Sequence, residues 1–131
     1  MNSIVRELAL DNGLTVRFSD ASRRYFGDYH QVRVEVTCEV PLTAQLFDDP
    51  AAFEAARKLL GASVSYRKLV EHQGVPTLLV ADQVEKVIQH FIEHSLGYFS
   101  SENFPRRLVQ SELNRLKSRS RSFAIPMHIN G

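Results

Sequence analysis

Val32-Arg33-Val34-Glu35-Val36-Thr37-Cys38-Glu39-Val40 sets apolar side chains at every second position and polar ones between them. Successive side chains of a strand point to opposite faces, so this stretch is a strand with one dry face and one wet face. Pro41 ends it, because proline has no N–H to give to a ladder. A sheet that is dry on one side and wet on the other is characteristic of antiparallel packing.

Two further strands precede it. Ile4, Arg6, Leu8 and Leu10 alternate with Val5, Glu7 and Ala9; Leu14, Val16 and Phe18 alternate with Thr15, Arg17 and Ser19. Asp11-Asn12-Gly13 between them is a hairpin signal. A two-residue loop would set Leu8 opposite Arg17 and mix polar with apolar on both faces. A three-residue loop sets Leu10 opposite Leu14, Leu8 opposite Val16, and Glu7 opposite Arg17 as an opposite-charge pair. A one-residue slip turns every side chain to the wrong face, so the pattern selects three residues, with Gly13 in the left-handed position.

The rest of the chain supplies the cover. Asp49-Pro50 is an N-cap followed by proline at the first helical position, Ala51 to Leu60 is rich in helix formers, and Gly61 is a stop. Val64 to Val70 reads as a fourth strand, with Lys68 on the face of Val64, Tyr66 and Val70; Gln73-Gly74-Val75-Pro76 reads as a turn. From about Thr77 to Tyr98 the residues Val80, Val84, Val87, Ile88, Phe91 and Ser95 recur at helical spacing. Asp82 is an alternative cap for a later start. A last helix opens at Phe104-Pro105 with Asn103 as its cap and Leu108, Val109, Leu113 and Leu116 as its apolar stripe. The expected fold is α+β: an antiparallel sheet with three helices packed on one face, in the order βββαβαα. The expected organisation is one domain over residues 1–118 and a basic C-terminal tail over 119–131.

Composition narrows the function classes. The 131 residues carry a net charge of +1 and suffice for one ordinary core. No apolar run approaches the ~20 residues that a membrane-spanning helix needs. Met1-Asn2-Ser3 leads straight into a strand without a basic-then-apolar leader, so a cytoplasmic protein with no membrane partner is expected. Cys38 is the only cysteine, which forbids an internal disulfide; on the valine face it reads as an inert core side chain. No glycine-rich phosphate loop, nucleophile elbow or CxxC pair is present, and no cofactor is expected.

Three constellations could carry chemistry. His90-Phe91-Ile92-Glu93-His94 matches H-x-x-E-H, the zinc signature of inverted zincin peptidases, which sets two imidazoles one turn apart with a carboxylate beside them. His90 and His94 then lie on the flank of the apolar stripe, and Glu93 points away from the core. That chemistry also needs a distant third ligand, and only Glu102 and Glu112 follow. Solvated helix-flank histidines are the favoured reading.

The segment between the second and third strands, Asp20 to His30, is longer than a hairpin needs. Asp20, Ser22, Arg23, Arg24, Tyr25 and Asp28 form a candidate ligand site, in which Arg23 and Arg24 could hold a phosphate or carboxylate and Tyr25 or Tyr29 could stack on a flat ligand. The favoured account is structural: Asp20 and Ser22 start one turn, Gly27-Asp28 makes another, and Phe26 drops into the core edge. The third constellation is basic. Up to Glu102 there are ten basic and fourteen acidic residues; beyond it stand Arg106, Arg107, Arg115, Lys117, Arg119 and Arg121 against Glu112 alone. Arg115, Lys117, Arg119 and Arg121 could bind phosphate backbones, although the aromatic interleaving of a single-strand binder is missing.

Leu10-Asp11-Asn12-Gly13-Leu14, Asp20-Ala21-Ser22-Arg23, Gly27-Asp28, Val32-Arg33-Val34 and Asn103-Phe104-Pro105 together resemble small bacterial proteins of similar length that carry no assigned function. The resemblance implies a bacterial cytosolic protein and supplies no activity. The expectation is therefore a binding domain and not an enzyme. Its partner is another protein, a second copy of the chain included. Nucleic acid or another anion at the basic segment is the alternative, and a metal-dependent hydrolase is the least favoured one.

Overall fold

The computed structural model describes residues 3–129, with side chains described through residue 119. The chain packs as two compact units: residues up to Glu39 with Ser65–Glu102, and Val40–Val64 with the residues from Asn103 on. Its fold is α+β, built on a five-stranded antiparallel sheet.

The strands are β1 (Ser3–Ala9), β2 (Thr15–Asp20), β3 (Arg23–Phe26), β4 (Tyr29–Pro41) and β5 (Ser63–Pro76). The β1–β2 hairpin has the three-residue loop that the alternation selects. Leu8 pairs with Val16 and Glu7 with Arg17, and the Leu10 N–H donates to the Leu14 carbonyl at 2.8 Å. Gly13 has a φ of +87°, where a side chain would be strained. The Asn12 amide does more than turn the chain: it donates to the carbonyls of Phe99 and Ser101 at 2.7 and 3.0 Å.

The Asp20 to His30 segment departs from the expected loop. It is largely strand, not loop. Phe18 pairs with Val36, Asp20 with Val34, Arg23 with Gln31 and Arg24 with His30, so β2 and β3 run along the same edge of β4. A two-residue break at Ala21-Ser22 separates them without changing the register, which shifts only between Arg24 and Phe26. There the Asp20 carboxylate accepts the Ser22 N–H at 2.8 Å, and the Ser22 hydroxyl accepts the Arg33 N–H at 3.0 Å. The arm ends in a two-residue turn with Gly27 at φ +53°, the positive φ that such a loop needs at its first central residue. Phe26 does not drop into the core edge; it is 74% exposed at the tip.

β5 pairs with the other side of β4. It also runs further than the sequence suggests: Gln73-Gly74-Val75-Pro76 continues the strand, with Gly74 at φ +67°, and Val75 is buried. Val32, Val34, Val36 and Cys38 of β4, with Val16 and Phe18 of β2, are 0–1% exposed and form the dry face of this unit.

After a 3-10 turn at Thr77–Leu79, α2 (Val80–His94) lies on that face with Val84, Val87, Ile88 and Phe91 buried. Arg6 of β1 grips Glu85 of α2 through two 2.9 Å hydrogen bonds. The rings of Phe18 and Phe91 meet edge to face at 5.4 Å. The expected single helix to Tyr98 is two: the chain leaves helical geometry at Ser95, and a short α3 (Leu96–Phe99) follows. Val80 and Ser95, assigned to the buried stripe, are only half-buried.

In the second unit α1 (Pro50–Leu60) starts as its sequence dictates, the Asp49 carboxylate accepting the Ala52 N–H at 2.7 Å. The last helix of the unit, α4 (Phe104–Ile129), has Phe104, Val109 and Leu113 buried. Arg106 reaches the Asp48 carboxylate at 3.3 Å and the Gln45 carbonyl at 3.1 Å. The described helices are thus four and the described strands five, one of each more than the sequence led us to expect.

Candidate functional site

The sheet of the first unit is wider than its cover. Four strand positions span about 14 Å between the outer axes, whereas one helix with its side chains is about 10–12 Å across. Arg6 and Phe18 hold α2 toward β1 and β2. The dry face of β5 is left partly open, and between β5 and α2 lies a cavity of about 620 Å³.

Its floor is apolar: Val36 of β4, Val70 of β5, and Val87 and Phe91 of α2. Its rim is mostly basic. Lys68 and His72 alternate with Val70 on the inner face of β5, while Lys86 and His90 stand one turn apart on α2. Glu71 is the acidic group in the lining. Strand and helix periodicity together aim Lys68, His72, Lys86 and His90 at one space. Neither Lys68 nor Lys86 is in an ion pair among the described residues. The volume falls within the range of small-molecule pockets.

The sequence flagged His90 but for another reason. Its ring lies 4.3 Å from that of His94, both on the exposed flank of α2. No group of three His, Cys, Asp or Glu side chains that could hold a metal ion occurs among the described residues. Only His90 of the pair lines the cavity.

The residues proposed from the Asp20 to His30 segment do not converge on a ligand space. Asp20 and Ser22 are used in hydrogen bonds at the break between β2 and β3. Arg23 donates to the Gln31 side chain at 3.0 Å, and Gln31 in turn donates to Glu71 at 2.7 Å. Arg24 and Tyr25 are exposed. The Asp28 carbonyl accepts both the N–H and the hydroxyl of Thr77, at 2.8 and 2.9 Å. In α4, Arg115 is paired with Glu112 at 2.6 Å, and Lys117 and Arg119 are exposed. Arg121 lies outside the residues whose side chains are described.

The wet face carries its own ladder of charges. Glu7 faces Arg17 at 3.4 Å, Arg67 meets Glu35 at 2.6 Å, and Arg33 stands 3.7 Å from Glu71. The Arg33 Nε is buried without a hydrogen bond, held near the carboxylate by charge alone.

Lys68, His72 and Lys86 escaped sequence reasoning because they come from two elements that only packing brings together. The one legible signal was Lys68 on an otherwise apolar strand face. The chain matches no family model, no curated protein and no solved structure. No described helix is long and apolar enough to cross a membrane.

Proposed function

We propose that this chain is a binding domain whose site is the cavity between β5 and α2, and that it takes a small amphipathic anion. The observation that carries this reading is the apolar floor of Val36, Val70, Val87 and Phe91 beneath the unpaired ammonium groups of Lys68 and Lys86. An apolar body covers the floor and leaves water, the main source of affinity. A carboxylate or sulfonate at its end meets the lysines and the imidazoles of His72 and His90, which fix its orientation. Lys68 and Lys86 are exposed, so their ammonium groups are open to an incoming anion.

The test is a titration of the full chain with dodecanoate and with 8-anilinonaphthalene-1-sulfonate, followed by calorimetry and amide chemical shifts. Saturable binding that shifts Val36, Val70, Val87 and Phe91 is expected. Lys68→Glu combined with Lys86→Glu should weaken it at least about tenfold, equivalent to 1.4 kcal/mol. Shifts confined to other surfaces, or an unchanged affinity in the double variant, would count against the site.

A further inference from the structure

We infer that β5 is a self-complementary edge and that its partner is a second copy of this chain, paired antiparallel about a two-fold axis beside Leu69. β5 spans 14 residues, Ser63–Pro76, and pairs with β4 on one side; no strand pairs with its other side among the described residues. Such an edge offers a row of free backbone donors and acceptors. Leu69 is 39% exposed near its middle.

The sequence of β5 selects both the occupant and the register. Directly opposed residues of antiparallel strands point to the same face, so in a symmetric pair the axis passes beside one residue that faces itself. Centring at Arg67, Lys68 or Glu71 sets like charges against each other. Centring at Val70 sets Leu69 against Glu71 and Lys68 against His72, with no opposite-charge pair. Centring at Leu69 sets leucine against leucine and Arg67 against Glu71 twice, once on each side of the axis. Opposite charges directly across a strand pair are favourable and like charges unfavourable.

The intrachain contacts extend this pattern. Glu71 already stands beside Arg33, and Arg67 beside Glu35. Pairing at Leu69 therefore lines up Arg33, Glu71, Arg67 of the partner subunit and Glu35 of the partner subunit, with alternating sign across the joined sheet. Pairing uses the backbone edge of the strand and not the apolar floor of the cavity. The inference does not depend on what that cavity binds.

The experiment is cysteine cross-linking of the full chain with copper–phenanthroline, read on a non-reducing gel. Cys38 is buried and does not compete. Leu69→Cys brings two thiols face to face, within the Cα separation that a disulfide needs. Ser65→Cys is the register control: two such residues lie eight positions apart along the paired strands, about 27 Å. A covalent dimer from Leu69→Cys and none from Ser65→Cys is expected. The unmodified chain should show twice its 14.9 kDa mass by light scattering, and Arg67→Glu should raise the dimer dissociation constant at least about tenfold. A monomeric chain at high micromolar concentration, equal cross-linking at Ser65→Cys, or an Arg67→Glu variant that dimerises as tightly as the parent overturns the inference.

Discussion

Cys38 behaves as its neighbours dictate. It is 1% exposed on the valine face, and burial pushes its thiol pKa up, against a smaller opposing pull from Arg17. The alternation of the strand placed it there, and no tertiary knowledge was needed. Arg6 and Glu85 are the opposite case. They lie 79 positions apart, and nothing local to either residue names the other. The two hydrogen bonds from Arg6, and then one from Gln89, hold the Glu85 carboxyl below its ordinary pKa. A carboxylate with a depressed folded pKa stabilises the fold fully above its unfolded value, about 4.3. That contribution disappears as pH falls through the folded value. Glu85→Gln should therefore lower the urea midpoint at neutral pH, and the difference from the parent should shrink progressively below about pH 4. A gap that is constant from neutral to acid pH would show that the ion pair does not stabilise the fold.

Elements were legible where a period was long and clean. The β1–β2 register, the β4 alternation and the α1 start follow from side-chain pattern, turn chemistry and a cap. The Asp20 to His30 arm was missed because charges and hydroxyls dominate it and hide its alternation, although its register with β4 is kept as far as Arg24. It becomes a strand because β4 is 13 residues long and offers its ladder to whatever runs beside it. The break at Ser95 was equally hidden, since Ser95 sits in phase with the apolar stripe. Gly27 gives the arm a direct test. A Cβ added there would meet nothing within 4 Å, yet the φ is +53°. Gly27→Ala should cost about 1–2 kcal/mol from backbone strain alone, measured by urea unfolding. An unchanged midpoint would mean that the turn does not hold this conformation.

At the scale of the whole molecule, the site is a consequence of dimensions. One amphipathic helix cannot cover a sheet four strands wide, and the uncovered strip beside β5 becomes the cavity. Phe18, 0% exposed, joins sheet to helix through Phe91. Phe18→Ala should destabilise the chain by about 3–5 kcal/mol, a large share of the 5–15 kcal/mol typical of a domain. A loss of less than 1 kcal/mol in denaturant titration would show that helix and sheet are not packed as described.

The alternation within each strand, the caps and the turn glycines were sufficient for the fold class, the hairpin register and the burial of the β4 valines and Cys38. These are local properties, because a side chain's face is set by the period of its own backbone. Which helix leaves which strand uncovered depends on the widths and anchor points of elements far apart in sequence. So the basic rim of the cavity, the Arg6–Glu85 grip and the free edge of β5 exist only once the elements have packed.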